Sequence, residues 1–106
     1  MPTIRTKERR ASVRMPGSHP AMLSDAKGRM IGRGRTGNIS ESGVFVLVPG
    51  GRNVQIGATL RIQLELPRSP DHPRMKRRVL YNARVVRVEP MGEWRGVGLE
   101  LLDKIE

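Results

Sequence analysis

The apolar residues of this chain recur at every second position over several short segments. In residues 60–66 four aliphatic side chains alternate with polar ones, which is the pattern of a β-strand with one buried and one solvated face. Residues 97–101 alternate in the same way, and residues 44–48 are apolar throughout. The pattern therefore predicts two half-buried strands and one strand that is buried more completely.

Three further strands are predicted from weaker signals. A short strand is expected over residues 19–23. Residues 29–36 alternate glycine with arginine, which predicts a strand that another part of the backbone approaches closely. In residues 75–89 the apolar positions change phase, since Val79, Tyr81, Ala83 and Val85 share one face and Val86 and Val88 the other. Such a change indicates a β-bulge or a barrel corner.

The breaks between these segments contain turn-forming residues. Glycine, proline, asparagine or aspartate occurs near residues 24–28, 49–53, 57 and 90–92. Pro67 is predicted to end the strand that precedes it, and the proline-rich residues 68–73 are predicted to form an exposed loop.

No segment shows helical periodicity of useful length, so the fold class is predicted to be all-β. A chain of 106 residues has room for one domain, and an antiparallel barrel of about six strands fits the pattern. Residues 1–18 are basic and poor in apolar side chains. They are predicted to be a flexible arm that precedes a barrel of residues 19–106.

Composition narrows the class of partner. The net charge is +10, which predicts an anionic partner. Most of the cations are arginines, whose planar side chains suit phosphate groups and the O6/N7 edge of guanine. Only Phe45, Tyr81 and Trp94 are aromatic, fewer than a binder of single-stranded nucleic acid would be expected to have.

Several other classes of protein are disfavoured because the sequence lacks the residues that they need. There is no cysteine, so disulfides and thiol chemistry are excluded. The two histidines, His19 and His72, do not suggest a metal site, and no arrangement of side chains indicates an enzyme. Neither a signal peptide nor a membrane span is visible, and a cytoplasmic location is expected.

Two short polar motifs stand out against this background. Arg10 and Arg14 form an R-x-x-x-R pair, a spacing that recurs elsewhere in this arginine-rich chain. Asn38, Ser40 and Gly43 form N-x-S-x-x-G directly before the apolar strand. Asn38 and Ser40 would share one face of an extended segment, and Gly43 would allow a positive φ angle.

The order, spacing and flanking strands of these motifs resemble the PilZ domain, a bacterial receptor module for cyclic di-GMP with a six-stranded split barrel. The resemblance implies that Arg10 and Arg14 clamp phosphates and guanine edges, that Asn38 and Ser40 bind the other base, and that Gly43 has a backbone role. Arg9 lies where the family has an arginine that accompanies a stacked pair of ligands. PilZ domains commonly carry a C-terminal helix, but few residues follow the last predicted strand of this chain, so little or no helix is expected.

The resulting hypothesis is a receptor that orders its arm over cyclic di-GMP and thereby signals to a downstream protein, which the sequence does not name. No other cofactor is implied. Two alternatives remain at this stage. One is a small basic barrel that binds nucleic acid, which the charge favours and the scarcity of aromatic residues disfavours. The other is a PilZ-like protein-interaction module without a ligand.

Overall fold

The computed structural model of the chain describes residues 18–40, 42–50, 54–69 and 71–105, without the side chains of residues 38, 72 and 73. All regular secondary structure in these residues is β. The strands are β1 (Pro20–Ser24), β2 (Met30–Ile39), β3 (Gly43–Pro49), β4 (Thr59–Ser69), β5 (His72–Met91) and β6 (Trp94–Lys104).

The six strands close into a barrel with the order β1-β2-β3-β6-β5-β4. Every neighbouring pair is antiparallel, which confirms the predicted fold class. No helix follows β6 in the described residues. The described part of the chain contains no helix of the length and apolarity needed to cross a membrane.

The barrel interior is filled by the side chains that alternate inward along the strands. β4 contributes Leu60, Ile62, Leu64 and Leu66, and β3 contributes Val44, Val46 and Val48. Leu23, Val85 and Val97 are also almost fully buried. Each such side chain contributes about 1.5–3 kcal/mol when it leaves water, so this interior stabilises the barrel and fixes which residues face outward.

The change of phase in β5 is caused by a β-bulge, as predicted. Val85 pairs with Leu99 and Arg87 with Gly98, so Val86 has no partner of its own. The Val86 side chain is 51% exposed, whereas Val88 packs against the core. The extra residue thus turns Arg87 to the outer face of the barrel.

Gly34 in β2 confirms the predicted close approach of two backbone segments. A Cβ atom at this position would collide with the Leu47 carbonyl oxygen of β3. Gly37 in the same strand has no heavy atom within 4 Å of such a position. The glycine requirement is therefore specific to Gly34.

The prediction that Pro67 ends β4 is wrong. β4 continues to Ser69 and β5 begins at His72, and Pro67 pairs with Lys76. β1 pairs with β4 only as far as Leu64, so no described strand covers the edge of β4 opposite β5 at Pro67. An edge strand accepts proline where the nitrogen faces away from the partner strand. The exposed loop predicted over residues 68–73 is mostly β-structure.

Candidate ligand-binding site

The polar turn between β2 and β3 is closed by hydrogen bonds between its two ends. The Ser40 backbone N–H donates to the Gly43 carbonyl oxygen at 3.0 Å. The Ser40 hydroxyl group accepts from the Gly43 N–H at 3.2 Å and donates to the Gly43 carbonyl oxygen at 3.2 Å. The serine and glycine of the second motif are thus brought together.

This turn is also attached to β6. The Leu101 N–H donates to the Ser42 carbonyl oxygen at 2.9 Å, and Gly43 pairs with Glu100. A Cβ atom on Gly43 would lie 3.1 Å from the Leu99 carbonyl oxygen. Gly43 is therefore placed where the β3 backbone approaches that of β6.

The predicted positive φ angle at Gly43 is wrong. In the described residues positive φ angles occur at Gly28, Gly57 and Gly92, all of them in turns elsewhere. Gly43 starts a strand in an ordinary extended conformation. A side chain is disfavoured at this position by the neighbouring carbonyl group of β6 rather than by the backbone angles of the glycine itself.

Asn38 lies in a β-bulge near the end of β2. Thr36 pairs with Val46 and Ile39 with Val44, so two residues of β2 oppose the single residue Phe45. Thr36 and Ile39 are both buried although they are three positions apart. The sequence analysis placed Asn38 and Ser40 in one regular extended segment. The backbone differs from this expectation, because the bulge interrupts β2 at Asn38 and Ser40 already belongs to the turn.

Arg9, Arg10 and Arg14 lie outside the described residues. The chain that carries them joins the barrel at Ser18, whose carbonyl oxygen accepts from Arg35 Nη2 at 2.9 Å. Pro20, at the start of β1, pairs with Arg35, four positions before the end of β2 at Ile39. Ser18 therefore lies toward the end of the barrel that carries the Ser40–Gly43 turn. Arg14 precedes Ser18 by four positions, and a step of four residues spans at most about 14 Å.

A recess lies beside this turn on the outer face of β3, β6 and β5. It has a volume of about 350 Å³ and is lined by Gly43, Val44, Phe45, Val86, Arg87, Gly98 and Leu99. The Arg87 guanidinium group lies 5.2 Å from the centroid of the Phe45 ring, and its Nε donates to Glu89 Oε2 at 3.0 Å. An arginine held over an aromatic ring offers a flat, cationic surface to an anionic or aromatic ligand.

Phe45 and Arg87 were not predicted from the sequence as candidate site residues. The alternation of β3 in the structure places Phe45 on the outer face, two residues after Gly43, but residues 44–48 are apolar throughout, so the sequence did not show which of them face outward. Arg87 could not be found from the sequence either, since its place beside Phe45 depends on the pairing of β6 with both β3 and β5.

The negative charge of Glu100, which lies near the turn, is partly neutralised by an arginine. Glu100, the strand partner of Gly43, forms an ion pair with Arg84, whose Nη2 lies 2.5 Å from Glu100 Oε1. The two side chains are 44% and 49% exposed, respectively, so the pair adds little to stability. Its effect is to offset a carboxylate that would otherwise repel an anion at the turn.

The solved structures that are similar to this chain include the following three. The Bacillus subtilis inhibitor of motility MotI/DgrA has 28% identity and a TM-score of 0.72, over 98% of this chain and 49% of the other. The PilZ domain of Escherichia coli YcgR with c-di-GMP has 14% identity and a TM-score of 0.60, over 90% and 79%. The PilZ domain of CeSA from a cellulose-synthesizing bacterium has 23% identity and a TM-score of 0.60, over 87% and 83%.

The likeness to MotI/DgrA covers about half of that chain, and the two lower identities show the fold alone. No curated protein sequence matches this chain. The sequence does match the PilZ domain family over residues 8–106, a range that includes both polar motifs and all six strands. This chain belongs to the PilZ domain family.

Proposed function

We propose that this PilZ domain is a receptor for cyclic di-GMP and that the ligand binds across the Ser40–Gly43 turn. The observation that carries the proposal is the closed turn itself, which holds the serine and glycine of the family motif against β6. The family match begins at residue 8 and so includes the arginine motif as well.

The chemistry of the ligand suits the residues at this end of the barrel. Cyclic di-GMP carries two phosphate anions and two guanine bases. Arg10 and Arg14 would contact phosphate and guanine edges, and Asn38 and Ser40 would bind a base. One acceptor site of the Ser40 hydroxyl oxygen is left for a ligand donor after its two contacts with Gly43.

The signal would arise from the arm. Three arginines close together repel one another unless phosphates lie between them, so Arg9, Arg10 and Arg14 would converge only around the ligand. Residues 1–18 would then pack over the turn and create a surface for a partner protein. The name of one similar protein supports an output of this type, since that protein is an inhibitor of motility.

Isothermal titration calorimetry with cyclic di-GMP tests the proposal. Arg10→Ala and Arg14→Ala should each weaken binding roughly tenfold or more, because a hydrogen bond to a charged group contributes about 1.5–3 kcal/mol. The matched control is Arg74→Ala with Arg78→Ala, a pair of the same spacing on β5, which should bind normally. Absence of heat with the wild-type chain would instead favour a PilZ module without ligand.

The same titration tests the number of ligands. If Arg9 supports a stacked pair, the wild-type chain should bind two molecules and Arg9→Leu should bind one. A wild-type ratio of one ligand per chain would contradict the stacked pair. Amide hydrogen exchange should show residues 1–18 protected only when ligand is present, and protection in the free chain would contradict the proposed switch.

A further inference from the structure

The hairpin of β4 and β5 extends beyond the strands that flank it. β1 pairs with β4 only over residues 61–64, and β6 pairs with β5 only over residues 81–91. Residues 65–69 of β4 pair with β5 as far as the contact between Ser69 and His72. Among the described strands, residues 65–78 therefore form a two-stranded ribbon, which we call the β4–β5 ribbon. It projects by about 15 Å at about 3.3 Å per residue.

The β4–β5 ribbon is strongly basic. It contains Arg68, Arg74, Lys76, Arg77 and Arg78 but only two carboxylates, Glu65 and Asp71. The five cationic side chains are exposed. The ion pairs seen in the described residues join other arginines, Arg29, Arg84 and Arg87, to carboxylates. The charge of the ribbon is therefore not offset by ion pairs within the described structure.

These cations lie on both faces of the ribbon. Lys76 and Arg78 follow one face, since side chains alternate along a strand and their partners are Pro67 and Glu65. Arg77 lies on the opposite face, in phase with the buried Val79 and paired with the buried Leu66. Where the barrel interior ends, its inward face thus continues with the exposed charge of Arg77.

Cations on both faces indicate the shape of the partner. A membrane or the flat surface of an acidic protein would contact one face of a ribbon and leave the other in water. The major groove of B-DNA is about 12 Å wide, accepts a two-stranded β-ribbon and has phosphates along both walls. The major groove of an RNA duplex is too deep and narrow for side chains to read. Residues 65–78 contain no Phe, Tyr or Trp, the side chains on which single-stranded bases most commonly stack, so a duplex fits the ribbon better than a single strand.

We propose that the β4–β5 ribbon binds double-stranded DNA by entering the major groove and contacting the phosphates of both walls. This binding does not depend on base sequence, because its contacts are made to the backbone. The scarcity of aromatic residues disfavours binding to single-stranded nucleic acid. It does not disfavour binding to a duplex, whose bases are already stacked on one another. The proposal is independent of cyclic di-GMP binding at the Ser40–Gly43 turn.

Fluorescence anisotropy of a labelled DNA duplex, titrated with the full chain over a range of salt concentrations, tests this inference. The wild-type chain should bind with a log–log salt slope of about −0.9 for each phosphate contacted. Lys76→Gln with Arg78→Gln removes two cations from one face. It should reduce the slope by about two units and weaken binding roughly tenfold or more. Arg77→Gln removes a cation from the other face and should reduce the slope by about one unit.

The matched control is Lys27→Gln with Arg29→Gln. These exposed residues lie in the β1–β2 turn at the opposite end of the barrel, and their replacement removes the same charge as the double ribbon variant. The control should bind DNA like the wild type. The two ribbon variants and the control should bind cyclic di-GMP like the wild type and keep its melting temperature, which separates this inference from the proposed receptor function and from misfolding.

Four results would overturn the inference. The control could lose as much affinity as the ribbon variants, which would indicate attraction by net charge alone. Only one face could matter, which would exclude insertion into a groove. A labelled single strand of the same sequence could bind as tightly as the duplex. Vesicles of anionic phospholipid could bind the chain through the same residues while the duplex does not.

Discussion

The Ser40 hydroxyl group and the Gly43 backbone are hydrogen-bonded to each other in both directions, at 3.2 Å in each case. The serine of the second motif therefore stabilises the turn in the free chain, in addition to any contact it makes with a ligand. A substitution at Ser40 changes both the contact and the shape of the turn.

Ser40→Ala is expected to weaken cyclic di-GMP binding by roughly three- to tenfold or more, since a neutral hydrogen bond contributes about 0.5–1.5 kcal/mol. Ser40→Thr keeps the hydroxyl group and should retain more affinity. Calorimetry with cyclic di-AMP beside cyclic di-GMP checks base recognition. The wild-type chain should prefer the guanine ligand, and Ser40→Ala and Asn38→Ala should reduce that preference. Equal binding of the two ligands by the wild type would rule out a base-reading role.

Gly34→Ala is expected to destabilise the barrel, because the new methyl group would collide with the Leu47 carbonyl group, which belongs to the backbone of β3. Overpacking of this kind costs about 1–3 kcal/mol and occasionally more. Gly37→Ala is the control, since it lies in the same strand with open space around it. Urea unfolding curves measure both. Equal stability of the two variants would show that β2 and β3 can separate without cost.

Arg84→Ala is expected to weaken cyclic di-GMP binding by a few-fold at low salt, because it leaves the Glu100 carboxylate uncompensated beside Gly43. The double variant Arg84→Ala with Glu100→Ala should recover the affinity. Binding titrations at low and high salt measure the effect, which should shrink as salt screens the charge. Stability should change little in either variant. Failure of the double variant to recover would mean that Arg84 contacts the ligand itself.

The Asp25 carboxylate should show an acid-dependent contribution to stability. The backbone N–H of Arg29 donates to it, as does that of Lys27, and these hydrogen bonds lower the pKa of Asp25 below its ordinary value of 3.8. The folded chain therefore favours the charged form, so the stabilisation is present above pH 3.8 and is lost as the pH falls through the lowered pKa. A carboxyl titration by NMR should have its midpoint below 3.8. Asp25→Asn should lessen the pH dependence of stability in this range, whereas a midpoint at or above the ordinary value would contradict stabilisation of the carboxylate by these hydrogen bonds.

Much of the barrel could be predicted from the chain alone because side chains alternate along a strand whatever its partners are. The apolar positions of β4 and β6 were visible as a period of two, and the shift between Val85 and Val88 indicated a bulge or a barrel corner in β5, where the structure has a bulge. The two polar motifs were likewise visible as short patterns of residue types. These features depend on near neighbours in the sequence.

The remaining features depend on which strands meet, and at which register. Gly34 needs to be glycine because of Leu47, and Gly43 is constrained by Leu99 of β6 rather than by its own φ angle. Pro67 interrupts a strand pattern in the sequence, but in the barrel it lies at an edge that no described strand covers, where pairing with β5 continues. The position of Arg87 over Phe45 and the projection of the β4–β5 ribbon follow from the same pairings. Alternation specifies which face a residue occupies, whereas its neighbour on that face comes from a strand distant in sequence, and only the tertiary structure supplies that neighbour.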